Sequence, residues 1–245
     1  MAHIGVEASA VSILKRAVDY DQQSRYTSAL VCYQEGIQLL LDVLKITGDD
    51  EQKRQHIRGR IKSYMDRAEE IKRLIQKEKD AGTFTEKFSI PDGSRNFGYE
   101  AIMGQLLDSG VRTVEVEDPY IMATHQIINF IKFCEMLIIK CKNLSKIKLM
   151  TKVNERGSPA EQKERLSQLA TSLKTHKVDL ELIFSTTLHD REIRFDTGWI
   201  VKIGRGLDYF KPTPSMFSVG HFDLNLRECH ETTVNIFHTK HLRHN

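Results

Sequence analysis

The residues best placed to do chemistry are His189, Arg191 and Asp196, which fall as His-x-Arg-x4-Asp in a strand-rich stretch. Arg191 offers a planar donor fork that grips a phosphate through two parallel hydrogen bonds, but it cannot shuttle a proton. Arg194, Lys202 and Arg205 follow on neighbouring predicted strands, and with His189 they can converge on one anion. The other reading is a set of separate charges along a sheet edge. A second cationic run lies upstream. Between Lys140 and Lys177 ten Lys or Arg, among them Lys148, Lys152 and Lys174, stand against three acids, Glu155, Glu161 and Glu164. Such a local excess attracts phosphate-bearing surfaces, although a solvated helix face with loops has the same composition. His238-x2-His241-x2-His244 invites a metal, but a tail without fixed structure is the simpler reading, and no metal or cofactor is expected.

The rest of the composition narrows the classes. The chain has 245 residues, enough for one large domain or two ordinary ones, with 40% hydrophobic and 28% charged residues. A net charge of +3 points to no particular partner, and nucleic acid is not expected. Cys32, Cys134, Cys141 and Cys229 lack metal-ligand spacing, and no secretory signal precedes them, so reduced thiols in the cytosol or nucleus are expected. The most apolar stretch, 121–141, is interrupted by His125, Asn129, Lys132 and Glu135 at helical spacing. That draws a polar stripe on a partly exposed helix rather than a membrane span.

Residues 1 to about 79 read as helix. Val11, Leu14, Ala17 and Val18 mark a first helix ending near Asp21. Tyr26, Leu30, Tyr33, Ile37, Leu41 and Leu44 step by three and four through a second, and Thr47-Gly48-Asp49-Asp50 stops it and caps a third. Ile57, Ile61, Tyr64, Ala68, Ile71 and Ile75 line one side of that third helix. Short connections predict an antiparallel three-helix bundle, and mid-helix Gly36 is expected where two helices approach closely. From Ala81 turn residues and strands take over. Strands are predicted at 112–117, 147–152, 178–186, 193–195, 199–203 and 233–237. They alternate with helices at 124–142 and after Ser158-Pro159-x-Glu161, a capping box, so a mixed sheet with packed helices is expected. The boundary is placed at 80/81.

Asp21-x4-Tyr26-x2-Ala29-Leu30-x2-Tyr33-x3-Ile37, together with Tyr64-Met65-Asp66-Arg67-Ala68-Glu69, closely resembles the MIT domain, a three-helix bundle. The resemblance covers nearly all of residues 5–78. It implies that helical C-terminal tails of ESCRT-III subunits dock between the second and third helices, Leu anchors meeting an apolar trough. The expected groove is Leu30, Tyr33, Ile37, Ile61, Met65, Asp66, Ala68, Glu69 and Lys72. Met65 matches a position usually held by Leu, and Glu69 the carboxylate that pairs with an Arg of the tail. Met is more adaptable than Leu, so the departure broadens binding rather than abolishing it.

The His189-x-Arg191-x4-Asp196 spacing resembles the phospholipase D signature, with Arg in place of its Lys. That chemistry needs two copies: one His attacks phosphorus, Lys binds the phosphate oxygens, and a second copy supplies the acid. His238-Thr239-Lys240 echoes only the first half, since Asn245 stands at the Asp position. Glu117-Asp118-Pro119-Tyr120-Ile121 and Trp199-x3-Ile203-Gly204-Arg205-Gly206-Leu207-Asp208 are similar to the C-terminal domain of a family that joins an MIT domain to a phospholipase D-like fold. This implies an α + α/β chain: an MIT bundle at 1–80 and, at 81–245, a phospholipase D-like domain that dimerises and binds membrane phosphoinositides. The expected lipid contacts are Lys148, Lys152, Lys174, His189, Arg191, Arg194, Lys202 and Arg205. The implied role is a non-enzymatic adaptor in abscission during cytokinesis, cytoplasmic and peripheral to membranes at the midbody and late endosome. The alternative is a phosphodiesterase whose active site is shared across a homodimer. A third is a scaffold whose second domain only dimerises.

Overall fold

Asp50 and Gly82 bracket the longest helix, and each acts through local hydrogen bonds. The computed structural model describes residues 2–48, 50–155 and 157–239. In it the Asp50 carboxylate accepts from the Lys53 amide at 2.9 Å. Gly82 turns left-handed (φ 69°) and returns its N–H to the carbonyls of Glu78 and Lys79. Between them runs α3, Glu51–Ala81, preceded by α1, Ala2–Gln22, and α2, Tyr26–Ile46. Asp49 of the predicted stop lies outside the described residues.

Gly36 lets α1 and α2 close together: a Cβ there would stand 2.5 Å from Leu14 Cγ. This close approach decides which stripe of α2 is buried. Ala29, Cys32, Tyr33, Gly36, Leu40 and Val43 go inside. The stripe expected from the larger side chains, Tyr26, Leu30, Ile37, Leu41 and Leu44, stays half-buried on the flank. Small residues admit the neighbouring backbone, and large ones beside them are left at the rim. Likewise Ala10, not Val11, joins Leu14 and Ala17 in the core, and Val11 is exposed.

The chain divides into two compact units, Met1–Glu86 and Lys87–Asn245. In the first, the Glu86 carboxylate accepts from both the Thr27 amide (3.1 Å) and hydroxyl (2.9 Å), supplying the start of α2 with a cap that Arg25 lacks.

The seven strands are β1 (Thr85–Ile90), β2 (Thr113–Glu117), β3 (Lys146–Thr151), β4 (Asp179–Phe184), β5 (Glu192–Phe195), β6 (Trp199–Ile203) and β7 (Thr232–His238). They form one mixed sheet in the order β1-β7-β6-β5-β2-β3-β4. β2, β3 and β4 are parallel, while β5, β6 and β7 continue antiparallel from the other edge of β2. α4, Tyr99–Met103, precedes β2; α5, Thr124–Lys140, joins β2 to β3; α6, Pro159–Thr175, joins β3 to β4. Ser158 caps α6 by accepting from the Glu161 amide at 3.2 Å. Parallel crossovers are right-handed, so α5 and α6 share one face of the sheet, where they touch. Val114, Val116, Ile147, Leu149, Ile193 and Val201 are buried on that side. The alternate residues form a half-exposed charged face.

One expectation about α5 is corrected. Asn129 is not on its exposed stripe; it is 3% exposed and donates to Asp208 Oδ1 at 2.9 Å. All four cysteines are buried free thiols. Among the described residues no helix is long and apolar enough to cross a membrane.

Candidate functional site

The first unit presents a strip of apolar surface along α2 and α3. Arg67 and Lys53 of α3 reach Asp21 and Glu7 of α1 at 2.7 and 3.0 Å. These contacts place α1 on one flank of α3, and the helical spacing puts Ile61, Met65, Glu69 and Lys72 on the opposite flank, toward α2. On α2, Leu30, Ile37 and Leu41 occupy the flank turned away from Gly36 and α1. Met65 is 51% exposed, and Leu30 and Ile37 are half-buried beside it on the facing helix. Tyr33, Ile61 and Ala68 are buried and form the floor rather than the contact surface. Glu69 and Lys72 stand exposed at the rim, 3.8 Å apart.

Asp66 departs from the expected set. One residue is a rotation of about 100°, so it faces away from Met65, into a separate open trough of about 480 Å³ with Glu70, Arg73 and Lys77. Two other motif residues prove structural. Arg67 binds Asp21 through two hydrogen bonds, 2.8 and 2.7 Å, and the Tyr33 hydroxyl donates to the same carboxylate at 3.1 Å. The Arg67 bond holds Asp21 below the usual carboxylate range. Burial, then the Asp21 charge, pushes the Tyr33 hydroxyl up to about 12.

In the second unit the carboxyl ends of β2, β3 and β4 define a site. After β4 the chain crosses from one side of β2 to the other, and the strand order reverses there, the usual place for a ligand on an open sheet. That crossing segment carries His189, exposed and making no hydrogen bond or ion pair among the described residues. Arg191 follows at the start of β5. Its guanidinium lies over the Tyr120 ring, 4.3 Å from the centroid, and donates to the Gly204 carbonyl. Asp118, 3% exposed, accepts from the amides of Tyr120 (3.0 Å) and Leu207 (3.2 Å). Burial raises its pKa against those bonds and the nearby Arg191 charge. Gly206 (φ 63°) must be glycine, because a Cβ would fall 2.0 Å from Asp118 Oδ2. Asp208 collects Gln126 (3.2 Å), Asn129 (2.9 Å) and His125 (3.3 Å). The 117–121 and 199–208 segments are thus one structure.

The expected cations do not all gather here. Lys152 and Arg205, at the ends of β3 and β6, share this end of the sheet with His189 and Arg191. Lys174 does not: it closes α6, which runs back to the start of β4. Lys148, Arg194 and Lys202 lie mid-strand on the charged face, each matched by an acid. Lys148 meets Glu115 at 3.6 Å, Arg194 meets Glu117 at 2.8 Å and also Glu192, and Lys202 meets Glu192 at 2.8 Å. Cross-strand pairing neutralises them. The excess of 140–177 is similarly divided, since Lys140, Lys146 and Arg165 pair with Glu100, Glu181 and Glu161; Arg156 is outside the described residues.

Asp196 is separated from the other two motif residues. It follows β5 and accepts from the amides of Arg112 (3.2 Å) and Thr113 (3.1 Å) at the start of β2, about 16 Å along the strand direction from Arg191. It fixes strand register and does not join the cluster. Lys240, His241, His244 and Asn245 lie outside the described residues; among the described ones no three His, Cys, Asp or Glu could hold a metal ion. Tyr120, Asp118 and Asp208 were not singled out as site residues from sequence. The signal available was their place in the two family-like segments.

Comparison with known proteins agrees with this layout. Residues 7–73 match the family model described as MIT (microtubule interacting and transport) domain. Residues 96–238 match the model described as phospholipase D-like domain at C-terminus of MIT. Over 235 residues, 96% of this chain and 94% of the relative, the sequence is 49% identical to MIT domain-containing protein 1 of Mus musculus. The fold is accordingly an MIT bundle followed by a phospholipase D-like α + β domain. By both its domains and its similarity along almost its whole length, the chain belongs to the family in which a phospholipase D-like domain follows an MIT domain.

Proposed function

We propose that this protein is a non-enzymatic adaptor whose first unit holds the helical C-terminal tails of ESCRT-III subunits while its second contacts anionic membrane lipids, phosphoinositides among them. The observation that carries the reading is the half-exposed apolar strip of Leu30, Ile37 and Met65 with Glu69 and Lys72 at its rim. Three helices leave this strip without a partner, and an amphipathic helix with Leu anchors and one basic residue complements it. Calorimetry of the intact protein with such a tail peptide tests it. Binding that survives Met65→Asp in a folded protein removes the reading.

The lipid contact is assigned to the carboxyl end of the sheet, which Lys152, His189, Arg191 and Arg205 share. A homodimer would present two such ends to one surface, raising avidity without new contacts. The adaptor would act in abscission during cytokinesis, as a cytoplasmic protein peripheral to membranes at the midbody and late endosome. What argues against a phosphodiesterase is chemical: only one copy of a two-copy motif is recognisable, and Arg191 at its Lys position is committed to Gly204 and Tyr120.

A further inference from the structure

Between Pro212 and Phe222 the chain runs eleven residues without Asp, Glu, Lys or Arg. That segment belongs to the long connection from β6 to β7, and it carries the three most exposed large apolar side chains of the described residues, with Met216 beside them. Phe217 is 90% exposed, Val219 85%, Phe222 73% and Met216 55%. Phe217 and Val219 project bare from the surface, and Phe222 edges an open groove beside Lys132, Met136 and Ile139. Four exposed apolar side chains within seven residues keep a concentrated stretch of apolar surface in water, which is unfavourable.

The backbone beneath them is fixed. Lys132, reaching from α5, donates to the carbonyls of His221 and Phe222, both at 2.8 Å. Arg227 donates to the carbonyls of Gly220 (2.7 Å) and His221. Burial lowers the pKa of both cations, as expected for groups drawn from water to hold a loop. Ser215 accepts from the Phe217 amide and Ser218 donates its amide to Ser215, each at 3.2 Å, and Thr213 bonds His221 at 2.8 Å. Gly220 (φ 87°) turns where a Cβ would meet the Leu226 carbonyl at 2.9 Å.

We propose that this loop is an apolar wedge that seats Phe217, Val219 and Phe222 in the interfacial layer of a lipid bilayer. Three features favour lipid over a protein partner. Phe217 and Val219, the two barest, project outside any groove among the described residues, whereas a protein interface needs a contiguous packed patch. No charged group lies within the run that would have to be stripped of water. The turn satisfies several of its own amides and carbonyls, which suits a segment entering a medium poor in hydrogen-bond partners. Apolar burial supplies a salt-insensitive part of membrane binding, beside the electrostatic contact of the cationic end. The inference rests on the membrane reading above but uses none of its residues.

The test uses the full chain and vesicles of phosphatidylcholine doped with phosphatidylinositol phosphate, with sedimentation velocity as a control for self-association. In Phe217→Trp, emission above that of the wild type, whose one tryptophan Trp199 is buried, should shift to the blue on vesicles. It should be quenched by lipids brominated on the acyl chain. Co-sedimentation in about 1 M salt, where charges are screened beyond about 3 Å, should fall at least about tenfold in F217S/V219S/F222S. Each aromatic tip removed from water contributes roughly that factor. Unchanged emission of the Phe217→Trp variant on vesicles that do bind it overturns the wedge and spares the membrane reading. Failure of the wild type to bind any vesicle overturns both. A triple variant that loses self-association would assign the tips to a second copy and overturn the wedge.

Discussion

Arg67 of α3 clasps Asp21 at the end of α1 through two hydrogen bonds, 2.8 and 2.7 Å, and Tyr33 of α2 donates to the same carboxylate at 3.1 Å. One half-buried acid therefore ties all three helices together. Residues that read in sequence as part of a recognition motif serve here to hold the bundle in register.

The pH dependence of the bundle follows from that cluster. Asp21 has a folded pKa below its ordinary value of 3.8, so its stabilisation is complete above that value. It is lost as pH falls through the lower folded pKa. Tyr33 is raised from 10.0 to about 12, so its contribution is full below 10 and fades as pH climbs to about 12. Arg67→Ala should cost about 1–2 kcal/mol, reduced by the water that reaches Arg67. It should also flatten the acid limb of the melting-temperature profile, measured by circular dichroism. An unaltered acid limb would contradict the assignment.

Gly36→Ala should destabilise the bundle although alanine favours helix. The added methyl meets Leu14 Cγ at 2.5 Å, and overpacking of about 1–3 kcal/mol outweighs the roughly 1 kcal/mol gained in helix propensity. Leu14→Ala in the same chain should relieve part of the loss. Additive destabilisation in chemical denaturation would show that the two residues do not meet.

Charge at the two ends of the sheet should have unequal effects. Lys152→Glu with Arg205→Glu should cut co-sedimentation with anionic vesicles by about tenfold or more, since each reversal replaces an attraction with a repulsion. Lys148→Gln with Lys174→Gln should change it little, because Lys148 already faces Glu115 and Lys174 is at the other end of the sheet. Equal losses in the two variants would return the contact to a diffuse basic surface.

No phosphodiester hydrolysis is expected. Only one copy of the two-copy motif is recognisable, so the acid is missing, and Arg191 at the Lys position is held by Gly204 and Tyr120. Turnover of a phosphodiester substrate that disappears in His189→Ala would establish the shared-site enzyme instead.

Local signals were legible in the sequence and long-range ones were not. Asp50, Gly82 and Ser158 act within a few residues of themselves, so their caps could be read directly. Which stripe of α2 goes inside depends on how near α1 can come, and that is decided across the bundle by Leu14 against Gly36. Lys148, Arg194 and Lys202 looked like a cationic surface because their acids, Glu115, Glu117 and Glu192, are brought alongside only by the strand order. Asp196 kept its motif spacing in sequence, but a strand stretches such a spacing to its full length.

The central claim is that Met65 lines a groove for a helical tail, and calorimetry of Met65→Asp with an ESCRT-III tail peptide tests it most directly. A carboxylate forced against an apolar ligand loses its water without gaining a partner, at a cost of about 1–3 kcal/mol. Met65 is 51% exposed in the free protein, so the bundle itself should keep its helicity and melting temperature. Affinity reduced at least about tenfold in a protein that melts normally is the result expected. Undiminished affinity in that folded variant would contradict the account.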